Sequence, residues 1–163
     1  MHAQFAVLAT WEELVTAWQP PGDDKLHAQV AALVESHPTL TDEGYLAYLR
    51  NYGGALVVRR DAFVLSLYGF SHDIGMHLVD GPGEPVFEDC FVFCDLVVPG
   101  QVRARVDDTQ VVDTVAVGFG FAAASSKQPG VYRSVAGGPM AWYCATFLDW
   151  LDRVIESDGQ VDR

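Results

Sequence analysis

Up to Tyr52 the apolar residues of this chain recur at helical spacing, and beyond the pair Gly53 and Gly54 they recur at every second position. That change of period constrains the fold more than any motif, because a 3.6-residue repeat and a two-residue repeat collect side chains on one face of different elements. Thr10, Trp11 and Glu13 read as a capping box, which predicts a helix over Trp11–Trp18, ended by Pro20, Pro21 and Gly22. Asp23 or Asp24 can cap a second helix carrying Leu26, Val30, Leu33 and Val34, closed by Pro38. Thr41 opens a third, with Asp42 and Glu43 in its first turn, an apolar face of Tyr45, Leu46, Leu49 and Tyr52, and Gly53 placed as a left-handed C-terminal cap.

The twofold pattern then predicts a hairpin of Ala55–Val58 and Phe63–Leu67 around a charged turn at Arg59, Arg60 and Asp61. Gly81, Pro82, Gly83 and Pro85 mark a loop before a strongly apolar strand, Phe91 to Val98, that Pro99 and Gly100 are expected to end. Val102–Val106, Val111–Val117 and Val131–Val135 read as further strands, the first two around an acidic turn at Asp107 and Asp108, with a small, turn-rich segment over Ala122–Gly130. Gly137, Gly138 and Pro139 lead into a last helix, with a stripe of Trp142, Tyr143, Phe147, Trp150, Leu151, Val154 and Ile155. Helices, then strands, then a helix predict an α+β fold: N-terminal helices, a mostly antiparallel sheet of about five to six strands, and a C-terminal amphipathic helix packed on it. At 163 residues the chain makes one domain (1–163), with a helical part over 1–40, a core over 41–157 and a frayed tail over 158–163.

Half of the residues are hydrophobic, enough for a sizeable core, and ten Lys and Arg stand against twenty-two Asp and Glu for a net charge of −12. Such a field repels phosphate backbones and anionic lipid and draws in basic partners, so neither direct nucleic-acid binding nor membrane association is expected. The run Phe5–Ala9 has no Lys or Arg before it and is short for an export signal, and Val115–Ala124 is about half the ~20 residues of a membrane helix. With only Cys90, Cys94 and Cys144 the chain fits a reducing, cytoplasmic setting.

No catalytic set assembles. His72, Asp73 and His77 are metal-ligand types, but a spacing of five splays the two imidazoles on a helix by about 140° and sets them on opposite sides of a strand. Cys90 and Cys94 have three residues between them and lie in an apolar strand, so they and Cys144 read as packed thiols. Gly69, Phe70 and Ser71 open like a nucleophile elbow, but Asp73 stands where the second glycine belongs. Gly118, Phe119 and Gly120 open like a dinucleotide fingerprint, but position 123 is Ala, and a strand bulge or bend is the simpler reading. No catalytic, metal or cofactor site is therefore assigned. The carboxylates Asp73, Glu84, Glu88, Asp89, Asp107 and Asp108 sit in turn-like contexts and are candidates for an acidic rim that docks a partner.

Three stretches in order carry a resemblance. Tyr45-Leu46-Ala47-Tyr48-Leu49-Arg50-Asn51-Tyr52-Gly53-Gly54 is a helix closed by a glycine pair; Leu67-Tyr68-Gly69-Phe70 ends the hairpin; Val131-Tyr132-Arg133 precedes Thr146-Phe147-Leu148-Asp149-Trp150-Leu151. Over Thr39–Glu156 the pattern resembles the SUKH superfamily, which groups bacterial toxin-immunity proteins with fungal cell-wall assembly regulators. It departs at Leu96–Pro99, where many relatives have an acidic, glycine-rich turn. The resemblance implies a non-catalytic domain that binds another protein, commonly a toxin such as a nuclease. The alternatives are a metal-dependent hydrolase built on His72, Asp73 and His77, and a regulatory scaffold of the same fold.

Overall fold

A computed structural model describes residues 3–8, 14–16, 24–53, 56–60, 63–70, 86–106 and 109–159. Three helices, α1 (Ala3–Leu8), α2 (Asp24–Ser36) and α3 (Glu43–Tyr52), join a fourth, α4 (Phe147–Glu156), and the strands are β1 (Leu14–Thr16), β2 (Leu56–Arg60), β3 (Phe63–Leu67), β4 (Val86–Phe87), β5 (Cys90–Val106), β6 (Thr109–Ala122), β7 (Val131–Val135) and β8 (Ala141–Cys144). Among the described residues the sheet has eight strands in the order β1-β2-β3-β5-β6-β7-β8, with β4 added beside β5. Every pairing is antiparallel. The α+β class expected from the periodicity is the fold observed, and the strand count exceeds five to six because the short β1, β4 and β8 join the sheet. No described helix is long and apolar enough to cross a membrane.

Several local expectations are overturned, among them the charged turn at Arg59 and Arg60, which are the last two residues of β2 and pair with Val64 and Phe63. Leu14–Thr16 is strand, not helix: two of its three residues are β-branched, and pairing along β2 (Leu14 with Val58, Thr16 with Leu56) outweighs a local capping signal. Pro99 and Gly100 do not end a strand, since β5 runs through them. β6 pairs on both sides, at Pro99–Thr114 and Val102–Val112, and the register shift between them absorbs one extra residue on β5. Proline is tolerated at such a bulge because it owes no ladder hydrogen bond there. The turn-rich segment begins one residue later than expected, as Ala122 still belongs to β6.

Pro139 does not open the last helix either. Ala136 and Gly137 both have positive φ (52° and 71°), and Gly138 N–H donates to the Val135 carbonyl at 2.9 Å. This is the turn geometry that suits a hairpin, so the chain folds back as β8 beside β7 before α4 begins at Phe147. At its far end α4 does not fray at once. Gly159 N–H donates to Val154 O (2.8 Å) and Asp158 N–H to Ile155 O (3.2 Å), a Schellman closure with Asp158 in the left-handed position. Gly159 has φ 76°, and a Cβ there would meet the Phe63 ring at 2.3 Å, so the helix end is seated on β3.

The helices bury one face of the sheet around an aromatic core. Phe93 stacks on Phe121 (4.4 Å between centroids) and meets Trp150 edge-on (5.0 Å, 89°), while Tyr45 lies 5.4 Å from Phe147. A second register shift, between Val92 and Cys94, makes Phe93 the extra residue opposite Gly120 and Phe119, and both Phe93 and Cys94 are fully buried. The bulge expected near Gly118 and Gly120 therefore lies across the ladder from them. Cys90, Cys94 and Cys144 are free and buried, as packed thiols should be. Burial pushes the Cys94 thiol well up and the Cys144 thiol up to about 11.

A buried phenol, Tyr45, and a half-buried one, Tyr68, interact with Cys94. The Tyr45 hydroxyl donates to the Tyr68 carbonyl (3.1 Å), and the Tyr68 hydroxyl donates to Asp95 Oδ2 (2.6 Å). Burial raises both phenols, reinforced at Tyr68 by the Asp95 carboxylate, which would repel a phenolate. A proton held more tightly in the folded state gives stability that is complete below the unfolded pKa and lost as pH climbs past it. Urea unfolding followed from pH 8 to 11 is therefore expected to show stability falling from about pH 9, where an unfolded thiol ionises, and more steeply above about pH 10, by up to about 1.4 kcal/mol per pH unit for Tyr45 and by less for the half-buried Tyr68, whose share solvent screening reduces. Tyr45→Phe should remove one such share of the slope; an unchanged slope would contradict the assignment.

Candidate functional site

The site is built where the N-termini of α3 and α4 meet. Asp42 is the N-cap of α3, and its Oδ1 accepts from Tyr45 N–H at 3.0 Å. Its other oxygen, Oδ2, accepts from Phe147 N–H at 2.9 Å, in the first turn of a helix 105 positions away in sequence. One carboxylate thus satisfies an orphan donor on each of two helices, in the positive field of both termini. Thr146 caps α4 reciprocally with Asp149: Thr146 Oγ1 accepts from Asp149 N–H (3.1 Å) and donates to Asp149 Oδ2 (2.8 Å). Gly44 lets the helices close, since a Cβ there would meet Leu148 Cγ at 2.9 Å.

Beside this junction lies a groove of about 240 Å³. Its lining includes Thr39, Asp42, Glu43, Phe121, Pro129 and Thr146. Thr39 Oγ1 donates to the Ala123 carbonyl (3.1 Å), tying the segment before α3 to the end of β6. Glu43 is largely exposed and pairs with Arg50 at 3.3 Å.

Trp142 adjoins two of the lining residues, Pro129 and Gly130. It lies on β8, the last strand of the sheet, and is 47% exposed. Its indole N–H donates to the Pro129 carbonyl (3.3 Å), and Gly130, with φ 134°, leaves no room for a Cβ, which would fall 2.7 Å from Trp142 Nε1. The ring is held in place while much of it faces outward.

Of the residues proposed from sequence for partner docking, Glu88 and Asp89 are described and both are exposed. They form the two-residue turn between β4 and β5 with φ 47° and 59°, the left-handed pair that such a hairpin needs. Glu88 Oε2 accepts from Met140 N–H at 2.8 Å, so that carboxylate also ties the turn to the approach to β8. Trp142 follows Met140 by two positions, which keeps this carboxylate within about 11 Å of the Trp142 backbone. Asp73, Glu84, Asp107 and Asp108 lie outside the described residues, as do His72 and His77 of the hydrolase alternative. Among the described residues no three His, Cys, Asp or Glu side chains gather as a metal site. Phe70, in the elbow-like stretch, is a buried core residue.

No family model, curated protein or solved structure matches the chain.

The groove and Trp142 escaped the sequence reading for identifiable reasons. Thr146 and Asp149 carry a capping-box signal that could have set the start of α4 and released Trp142 from the helical stripe. Nothing local could have joined Asp42 to Phe147.

If Asp42 caps two helices, removing its oxygens should cost about two ordinary caps. Asp42→Ala is expected to destabilise the fold by about 2 kcal/mol in urea unfolding, and Asp42→Asn, which keeps one acceptor oxygen, by about half of that. Equal losses for Asp42→Ala and Thr146→Ala, a single cap, would argue against the shared role.

Proposed function

We propose that this chain is a non-catalytic protein-binding domain that occludes a basic partner in a stoichiometric complex, in the manner of a SUKH-type immunity protein acting on a toxin domain such as a nuclease. The observation that carries the reading is Trp142: a large aromatic side chain, half exposed on the terminal strand, bonded to Pro129 and seated against Gly130, two residues that line the groove. Tryptophan that is already ordered before binding loses little entropy on contact, and such residues dominate the energetics of protein interfaces. The net charge of −12 supports a basic partner, because long-range attraction speeds encounter and orients approach. Exposed Glu88 and Asp89, in the turn that Glu88 ties to Met140, add local negative charge on the approach to β8.

The test begins with co-purification from the native host and identification of the bound protein by mass spectrometry, followed by calorimetry with the purified pair. The expected result is a one-to-one complex whose affinity falls with added salt, as screening of exposed charge requires. Trp142→Ala should weaken it by about 2 kcal/mol, roughly thirtyfold in Kd, while the chain still unfolds in one cooperative thermal transition. Absence of a partner together with turnover of a small molecule would overturn the reading.

A further inference from the structure

We infer that the partner docks on the helix-free face of the sheet, where Asp95 anchors one of its basic side chains; this rests on the protein-binding reading above. Register defines the face. Directly opposed residues of antiparallel strands project to the same side, and Ser66, Asp95, Gly118 and Ser134 oppose one another in turn across β3, β5, β6 and β7. Their chain neighbours Leu65, Leu67, Leu96, Val117 and Phe119 belong to the core beneath the helices, so this row looks the other way. Two positions along, Gly120, Tyr132 and Trp142 form the adjoining row on that same side. At about 4.8 Å per strand and 3.4 Å per residue, the Trp142 backbone lies roughly 16 Å from that of Asp95. The face between them can be reached from outside: Ala116 is exposed, and Val92, Val97 and Gly118 are partly so.

Asp95 is the charge in this row. Its Oδ2 accepts from the Tyr68 hydroxyl at 2.6 Å. Its Oδ1 leans toward Gly118, 3.5 Å from where a Cβ would stand, and apart from the chain neighbours of Gly118 no other described atom comes within 4 Å of that point. Glycine therefore leaves a notch that opens onto Oδ1. Among the described residues the ion pair is Arg50 with Glu43, and no cation pairs with Asp95.

A half-buried carboxylate gives up part of its hydration, and one phenol hydrogen bond restores only a share of that loss. Tyr68 requires an acceptor and not a charge, since a neutral amide oxygen would serve it equally well. The charge is thus uncompensated within the described fold, and its complement is an ammonium or guanidinium brought by another molecule. Trp142 and Asp95 then divide the work of one docking surface, an ordered aromatic ring giving apolar contact and a central carboxylate giving orientation.

Asp95→Asn keeps an acceptor for Tyr68 and removes the charge, while Gly118→Val closes the notch with a residue that suits a strand. Asp95→Asn is expected to unfold in urea at or above the wild-type midpoint. The ¹⁵N-labelled full chain can be titrated at low salt with acetyl-Gly-Lys-Gly-amide, with acetyl-Gly-Arg-Gly-amide, and with the uncharged norleucine analogue. The basic peptides should give saturable shifts at Ser66, Asp95 and Gly118, the tighter of the two naming the cation, and the norleucine peptide should give none. In Asp95→Asn and in Gly118→Val those shifts should weaken about tenfold, the order of a lost charge-assisted contact. If Gly118→Val fails to fold, Asp95→Asn decides alone. A clearly lower midpoint for Asp95→Asn would overturn the assignment, because the charge would then serve the fold, and so would peptide shifts indifferent to that substitution. The co-purified protein separates this inference from the broader reading: a partner bound undiminished by Asp95→Asn defeats the anchor and leaves protein binding intact, whereas a wild-type chain that binds no protein defeats the broader reading.

Discussion

The carboxylate of Asp42 is the interaction on which the arrangement of this molecule turns. A helix start leaves backbone donors without partners, and two such starts brought together would also set two positive termini side by side. A single carboxylate between them answers both problems: each oxygen takes one donor, at 3.0 and 2.9 Å, and its charge sits in the field of both helices. Gly44 then permits close approach against Leu148, and the aromatic pair Tyr45 and Phe147 packs directly behind the capped amides. The groove is the outer side of that same junction.

The sheet supplies the opposite wall by departures from regularity. Register shifts in β5 let one strand run seventeen residues through a proline and turn Phe93 into the core. The left-handed pair Ala136 and Gly137 sends the chain back as β8, which places Trp142 on the sheet's last strand beside Pro129 and Gly130. Cap, bulge and tight turn cooperate to set one half-exposed aromatic side chain next to a small opening lined by two carboxylates. On the proposed reading this arrangement meets a partner's surface, and the acidic balance of the whole chain favours a basic one.

Much of the fold was legible because it follows from local pattern. The buried stripe Leu26, Val30 and Leu33, the Gly53 cap at φ 66° and the apolar face of α4 all lie where periodicity put them, and the hairpin of β2 and β3 forms as expected except that Arg59 and Arg60 belong to β2 and not to its turn. The failures share one cause, namely pairing partners distant in sequence. Pro99 and Gly100 carry a turn signal, yet β6 holds both sides of them in the ladder. Trp142 and Tyr143 fit a helical stripe equally well, yet β7 takes that segment as a strand. Glu88 and Asp89 were legible as exposed acids, but not as a left-handed turn tied to Met140. The groove was not legible at all, since its lining comes from four separate stretches that the Asp42 bridge, the Thr39 tie to Ala123 and the pairing of β6, β7 and β8 bring together.

Amide hydrogen exchange addresses that bridge most directly, because the two capped donors can be read separately in one experiment. On replacement of Asp42 by Ala, the amides of Tyr45 and Phe147 should lose protection together, although they belong to helices 105 positions apart, while Asp149 N–H, held by Thr146, keeps its own. Loss at Tyr45 with Phe147 unchanged would mean that Asp42 caps one helix only and that the junction is held by something else.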